Sequence, residues 1–150
     1  MQYANENDVC KEMIFRTKTL LMHESRYDVT LLINSFIGLL IIPKETHRDL
    51  IDDSFIDSGI LCKMKSIVNT TYSDGHTVQA YIRHLRNAVS HGHLRIIAEK
   101  PVLNDLPPEI NCVEFKDRNQ NTGEQFEARI PVSLLKEFVI QFADSMYNVI

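Results

Sequence analysis

Cysteine is scarce: Cys10, Cys62 and Cys112 are odd in number, far apart, and in neither a C-x-x-C nor a Cys/His zinc spacing. That excludes a disulfide framework and predicts buried or half-buried free thiols in a reducing cytoplasm. Long apolar runs are also missing. The longest, Phe36–Ile42, stops at Pro43, far short of the roughly 20 residues a membrane span needs. The first residues are polar and acidic rather than basic and then apolar, so no secretory signal and no membrane partner are expected. There is no Gly-rich phosphate loop, no HExxH and no GxSxG elbow, which removes three enzyme classes at once. His91-Gly92-His93 offers two imidazoles but no third or fourth ligand in a metal spacing. No metal and no cofactor are expected.

The most informative absence is of acid. The 24 residues from Gly75 to Ala98 contain no Asp or Glu, in a chain of net charge −4. From Gly75 to Lys100 four basic residues face only Glu99, a local +3 that leaves −7 for the rest. An acidic body with one basic helix suits a small anionic site better than a broad nucleic-acid platform.

At 150 residues the chain is expected to be one domain, residues 1–150, with a core that needs no staples. Apolar residues recur at helical steps from about Glu6 to Ile42, with a bend expected near His23–Tyr27 and a stop at Pro43. Thr30–Ile42 is apolar nearly all round, as a helix buried on several sides would be. Asp52, Asp53 and Asp57 read as a solvated loop or helix start, Ser58 to Tyr72 as a short helix, and Asn69–Gly75 as a turn. A helix over 76–91 places Val78, Ile82, Leu85 and Val89 on its core face, with Gly92 as C-cap. Leu94–Ala98, Val113–Phe115 and Phe126–Ile130 are predicted strands separated by Pro101–Pro108 and the Asn121–Gly123 turn. Pro131 opens a last helix with Val132, Leu135, Phe138, Val139, Phe142 and Met146 as its stripe. The expected fold is mainly α: a helical bundle with a small β-hairpin or three-stranded insert before the C-terminal helix.

The basic helix carries Arg86, Asn87 and, five residues after the Arg, His91. At 100° per residue Asn87, His91 and His84 lie within about 60° of one another, opposite the core face, with Arg83 and Ser90 filling the arc toward Arg86. Arg86 and His91 do not share a face of an ideal helix. They meet if the long Arg reaches round, if the helix ends, or if a second copy of the helix supplies the other half. Such a cleft suits metal-independent RNA cleavage. Imidazoles can take the proton of a 2′-hydroxyl and protonate the leaving 5′-oxygen, while guanidinium forks hold the charge developing on phosphorus. Arg and His at a helix C-terminus also satisfy the helix dipole and recur by chance, so spacing alone favours a structural role.

These residues resemble the HEPN superfamily, whose members carry an R-x4–6-H motif, usually with a polar residue after the Arg, on a late helix of a helical bundle. Here the motif is Arg86-Asn87-Ala88-Val89-Ser90-His91. NSFIGLLIIPKE at Asn34–Glu45, VEFKDRN at Val113–Asn119 and FEARIPVSLLKEF at Phe126–Phe138 are similar to a small, often plasmid-borne HEPN subfamily. The resemblance covers most of the chain from Tyr27 onward. It implies a HEPN-like bundle and a homodimer with a composite ribonuclease site, in which Arg86, His91 and Asn87 are catalytic. Arg83, His84, Ser90 and His93 flank that site as candidate substrate-binding groups. RNA is the implied partner, with an antitoxin protein if the chain is a toxin rather than an anti-phage effector. Inactive relatives keep a second class open: a noncatalytic RNA- or nucleotide-binding or protein-interaction module.

Overall fold

Cys10, Ile14 and Leu21 fall on one side of helix α1 (Glu6–Met22), and all three are buried. The computed structural model describes residues 6–22, 32–36, 38–39, 48–99 and 109–150. The bend expected at His23–Tyr27, the stop at Pro43 and the Pro101–Pro108 segment lie outside these residues. Residues 32–36 and 38–39 are helical; Leu32, Phe36 and Leu39 are buried and Asn34 is exposed. That part of the apolar run therefore has one open side.

The acid cluster is solvated, as expected, but it also caps. Asp52 Oδ1 accepts from Ser54 N–H at 2.8 Å, closing a 3-10 turn at Asp53–Phe55. Asp53 Oδ1 accepts from Val78 N–H at 2.8 Å, at the start of the basic helix. Asp57 is the N-cap residue of α2 (Ser58–Ile67). This helix ends five residues earlier than the apolar pattern suggested, because Val68–Thr70 forms a strand, β1. Helix α3 (Val78–Ser90) is capped by Thr77, whose hydroxyl accepts from Ala80 N–H at 3.1 Å. After it come β2 (Leu94–Glu99), β3 (Glu109–Arg118) and β4 (Gln125–Pro131), and then α4 (Val132–Val149).

All four strands form one antiparallel sheet in the order β1-β4-β3-β2. The expectation of a small insert in a bundle is corrected here. The sheet has four strands, and one of them precedes the basic helix in the chain. The architecture is mixed, with helices against one face of the sheet. Strand alternation explains why. Val68, Ala128, Phe115 and Leu94 are cross-strand partners along one row, and the first three are buried under the helices. From α4, Leu135, Phe138, Val139, Phe142 and Met146 are buried in the same core. Each such side chain contributes about 1.5–3 kcal/mol when fully removed from water. Tilted ring pairs join the layers: Phe36 with Phe115 at 5.8 Å and Phe55 with Phe142 at 6.1 Å. Among the described residues no helix is long and apolar enough to cross a membrane.

Candidate functional site

Helix α3 is buried over a wider arc than its apolar stripe. Val78, Ile82 and Leu85 enter the core as expected, but Tyr81, His84 and Ala88 are buried too. A wheel shows one partner surface; the sheet is a second. The ring of His84 stacks on Phe126 at 5.0 Å and lies 4.1 Å from the ring of Tyr72. His84 is 1% exposed. The position expected for it, on the side of the helix opposite the core, is therefore corrected to a buried one, because the sheet covers that side of the helix.

Buried polar atoms need partners, and His84 has them on both nitrogens. Nδ1 lies 2.7 Å from Asp117 Oδ2. A carboxylate only accepts, so Nδ1 carries the hydrogen. Nε2 lies 3.0 Å from Asp74 Oδ2 and 3.3 Å from Arg83 Nη2, so it faces both an acceptor and a donor. Arg83 closes the ring of contacts with an ion pair to Asp74 at 2.6 Å. Burial, followed by the nearby charges of Asp117 and Glu124, holds the Tyr72 phenol above its ordinary range. Burial likewise pushes the Tyr81 phenol well up. Both rings remain neutral hydrogen-bonding groups, and Tyr81 hydroxyl lies 2.7 Å from His76 Nδ1.

Asp117 also reaches the motif. Asn87 Nδ2 donates to Asp117 Oδ2 at 3.2 Å, and Asn87 Oδ1 accepts from Arg86 Nη2 at 2.8 Å. Flipping the amide would set oxygen against carboxylate and NH2 against guanidinium, so the orientation is determined by charge. Asn87 thus links a buried anion to the motif cation. Arg86 itself is half-buried, with its Nε shielded from solvent.

His91 occupies a different environment. It is the C-cap of α3, and its backbone N–H donates to Asn87 O at 3.0 Å. Gly92 follows at φ +70°, where a side chain is strained. Gly92 N–H bonds Val89 O at 3.1 Å and His93 N–H bonds Ala88 O at 2.8 Å, the paired closure of a Schellman end. Ser90, His91 and His93 are exposed, with the His91 and His93 rings 6.1 Å apart. The His91 side chain makes no hydrogen bond among the described residues. Within one chain, then, Arg83, His84, Arg86 and Asn87 gather around Asp74 and Asp117, while Ser90, His91 and His93 stand at the open helix end.

The motif residues sit as a set on one helix, and the whole sequence bears the same mark. The family model HEPN pEK499 p136 matches residues 1–150. The chain belongs to this HEPN family. No curated protein and no solved structure matches it. In this HEPN chain the polar residue after the motif Arg has a visible job: Asn87 fixes the guanidinium against a buried acid. Sequence reasoning missed Asp74, Asp117, Tyr72 and Phe126. Asp117 left a signal, because it shares the inward phase of β3 with Val113 and Phe115, where a charge is out of place unless paired.

Proposed function

We propose that this HEPN chain is a metal-independent endoribonuclease, acting as a homodimer whose two motif helices face each other in a HEPN-type bundle. The observation that carries the reading is the contrast within the motif. Arg86 is held by Asn87, which is held by the buried Asp117, whereas His91 is exposed at the helix end. A fixed guanidinium can meet the charge on a phosphorane without reorganising. An unburied imidazole can reach a 2′-hydroxyl or a leaving oxygen. Two chains would supply one imidazole for each proton transfer. A cytoplasmic toxin, with an antitoxin partner, or an anti-phage effector is the biological role this chemistry fits.

The test is cleavage of RNA in EDTA. Products should end in a 2′,3′-cyclic phosphate, and His91→Ala should abolish cutting while melting at the wild-type temperature. Cleavage that persists in the variant removes His91 from the mechanism. The alternative, a noncatalytic RNA- or nucleotide-binding or interaction module, is favoured by one fact: Arg86 and His91 are not joined by a hydrogen bond within the chain. Overexpression separates the two. Growth arrest by wild type but not by Arg86→Ala supports the enzyme, and equal tolerance of both supports the binder.

A further inference from the structure

The sheet face turned away from the helices carries a concentration of positive charge that the motif does not use. Arg95, Glu114 and Arg129 are cross-strand partners in one row, and Lys116 pairs with Glu127 in the next. Glu114 is buried beneath three cations: Arg129 Nε at 2.7 Å, Arg95 Nε at 3.3 Å and Lys116 Nζ at 3.7 Å. Lys116 also approaches Glu127 at 3.9 Å. Arg118, exposed on the same strand, makes no ion pair among the described residues. Among the described residues, four cations against two carboxylates leave +2 on this face, in a chain whose total is −4. A positive strip in an acidic body focuses the field on itself.

The strip is also a place with depth and direction. Arg95, Lys116 and Arg118 line a cleft of about 420 Å³ that includes Gly92 and His93; three carboxylates, Glu114, Glu127 and Asp117, line it too, the last already taken by His84 and Asn87. It therefore opens at the end of α3, one residue past His91. Lys116 N–H donates to His93 O at 3.0 Å, so the cleft floor is tied to the motif helix.

We propose that this sheet face binds the phosphodiester backbone of single-stranded RNA and leads it to the end of the motif helix. The identity of the ligand rests on the ribonuclease reading; the presence of an anion track does not. Cation spacing alone, without base-reading groups, makes the track sequence-tolerant. Glu114 occupies the guanidinium of Arg129 as a phosphate would, so it is the internal competitor of the ligand.

That competition gives the test two signs. Fluorescence anisotropy of a labelled single-stranded RNA is measured in EDTA, in a His91→Ala background, across a salt series. Lys116→Ala with Arg118→Ala should weaken binding about tenfold near 0.1 M salt and flatten the log Kd against log salt slope by ~0.7 per lost contact. Glu114→Gln should tighten binding a few-fold, and circular dichroism checks that each variant is folded. Unchanged affinity in the cation variant overturns the proposal, as does weakening by Glu114→Gln. Polyglutamate binding as tightly as RNA would make this a docking face for acidic protein and would overturn it too. The outcomes are separable from those of the nuclease test. If His91→Ala still cuts while the sheet variants lose affinity, only the catalytic assignment fails; if it is silent and they bind normally, only the track fails.

Discussion

Replacing Asp117 with alanine tests the central construction, that one buried carboxylate organises both His84 and the motif. Asp117 is 5% exposed, and its Oδ2 accepts from His84 Nδ1 at 2.7 Å and from Asn87 Nδ2 at 3.2 Å. Alanine strands both donors. Leaving one buried donor unsatisfied costs about 1–3 kcal/mol. The His84 nitrogen, with no route to solvent, belongs at the upper end, and the half-buried Asn87 amide at the lower end. A total of about 4 kcal/mol follows, and at about 2–4 °C per kcal/mol for a domain of this size the melting temperature should fall by roughly 8–16 °C. Asp117→Asn keeps an oxygen where both donors need one, so it should lose less than half as much. Thermal melts by circular dichroism read the first effect. A double-mutant cycle with Asn87→Ala reads the second, with coupling of at least ~0.5 kcal/mol. RNA cleavage, assayed well below every melting temperature, should drop in Asp117→Ala because Asn87 no longer anchors Arg86. Melting of Asp117→Ala within a degree of wild type would refute the reasoning, whatever happened to activity.

Gly92→Ala should cost about 1 kcal/mol, a fall of roughly 2–4 °C. No atom lies within 4 Å of the added Cβ, so the loss is purely conformational, and Gly92→Asn should cost less; equal melting of all three would contradict the left-handed closure. The Arg129 guanidinium beside Glu114 holds its carboxyl below the usual range of about 4.5. The folded protein therefore gains stability from this group above that value and loses it as pH falls through the lower folded value. Glu114→Gln should flatten the acid limb of the melting curve below about pH 4.5, and parallel limbs would show that the pair contributes nothing. Iodoacetamide should label exposed Cys62 first in the native protein. Cys112, whose thiol burial pushes up, should follow slowly, and buried Cys10 only on unfolding. Peptide mass spectrometry gives the order, and early labelling of Cys10 would place α1 wrongly.

What could be read in advance follows the strength of local periodicity. Val78, Ile82 and Leu85 repeat at helical steps, and so do Leu135, Phe138, Phe142 and Met146; these helices lie where the pattern put them. Strand β1 was hidden because Ile60, Met64, Ile67 and Val68 continue a helical spacing through its first residue. Only its distant partners Ala128 and Phe126 make Val68–Thr70 extended. The burial of His84 was illegible for a similar reason, since nothing in its own helix announces a second covering layer. The motif residues could be located without coordinates, but their supports could not. Asp117 lies 33 residues from His84, and Asp53 caps a helix 25 residues away. Such contacts are decided by topology, which leaves no short-range trace.

The strand order has a bearing on how this protein comes into being. The two outer strands, β1 and β2, flank α3 in the chain, while the two inner strands arrive later. A nascent chain emerged only as far as residue 99 would hold two strands about 14 Å apart, three inter-strand spacings, with nothing between them to bond. Its His84 would lack both Asp117 and Phe126. Only when the β3–β4 hairpin slots into that gap do the carboxylate and the stacking ring reach the motif helix. A chain proposed to cut RNA thus stays unassembled at its business end until the β3–β4 hairpin has been translated.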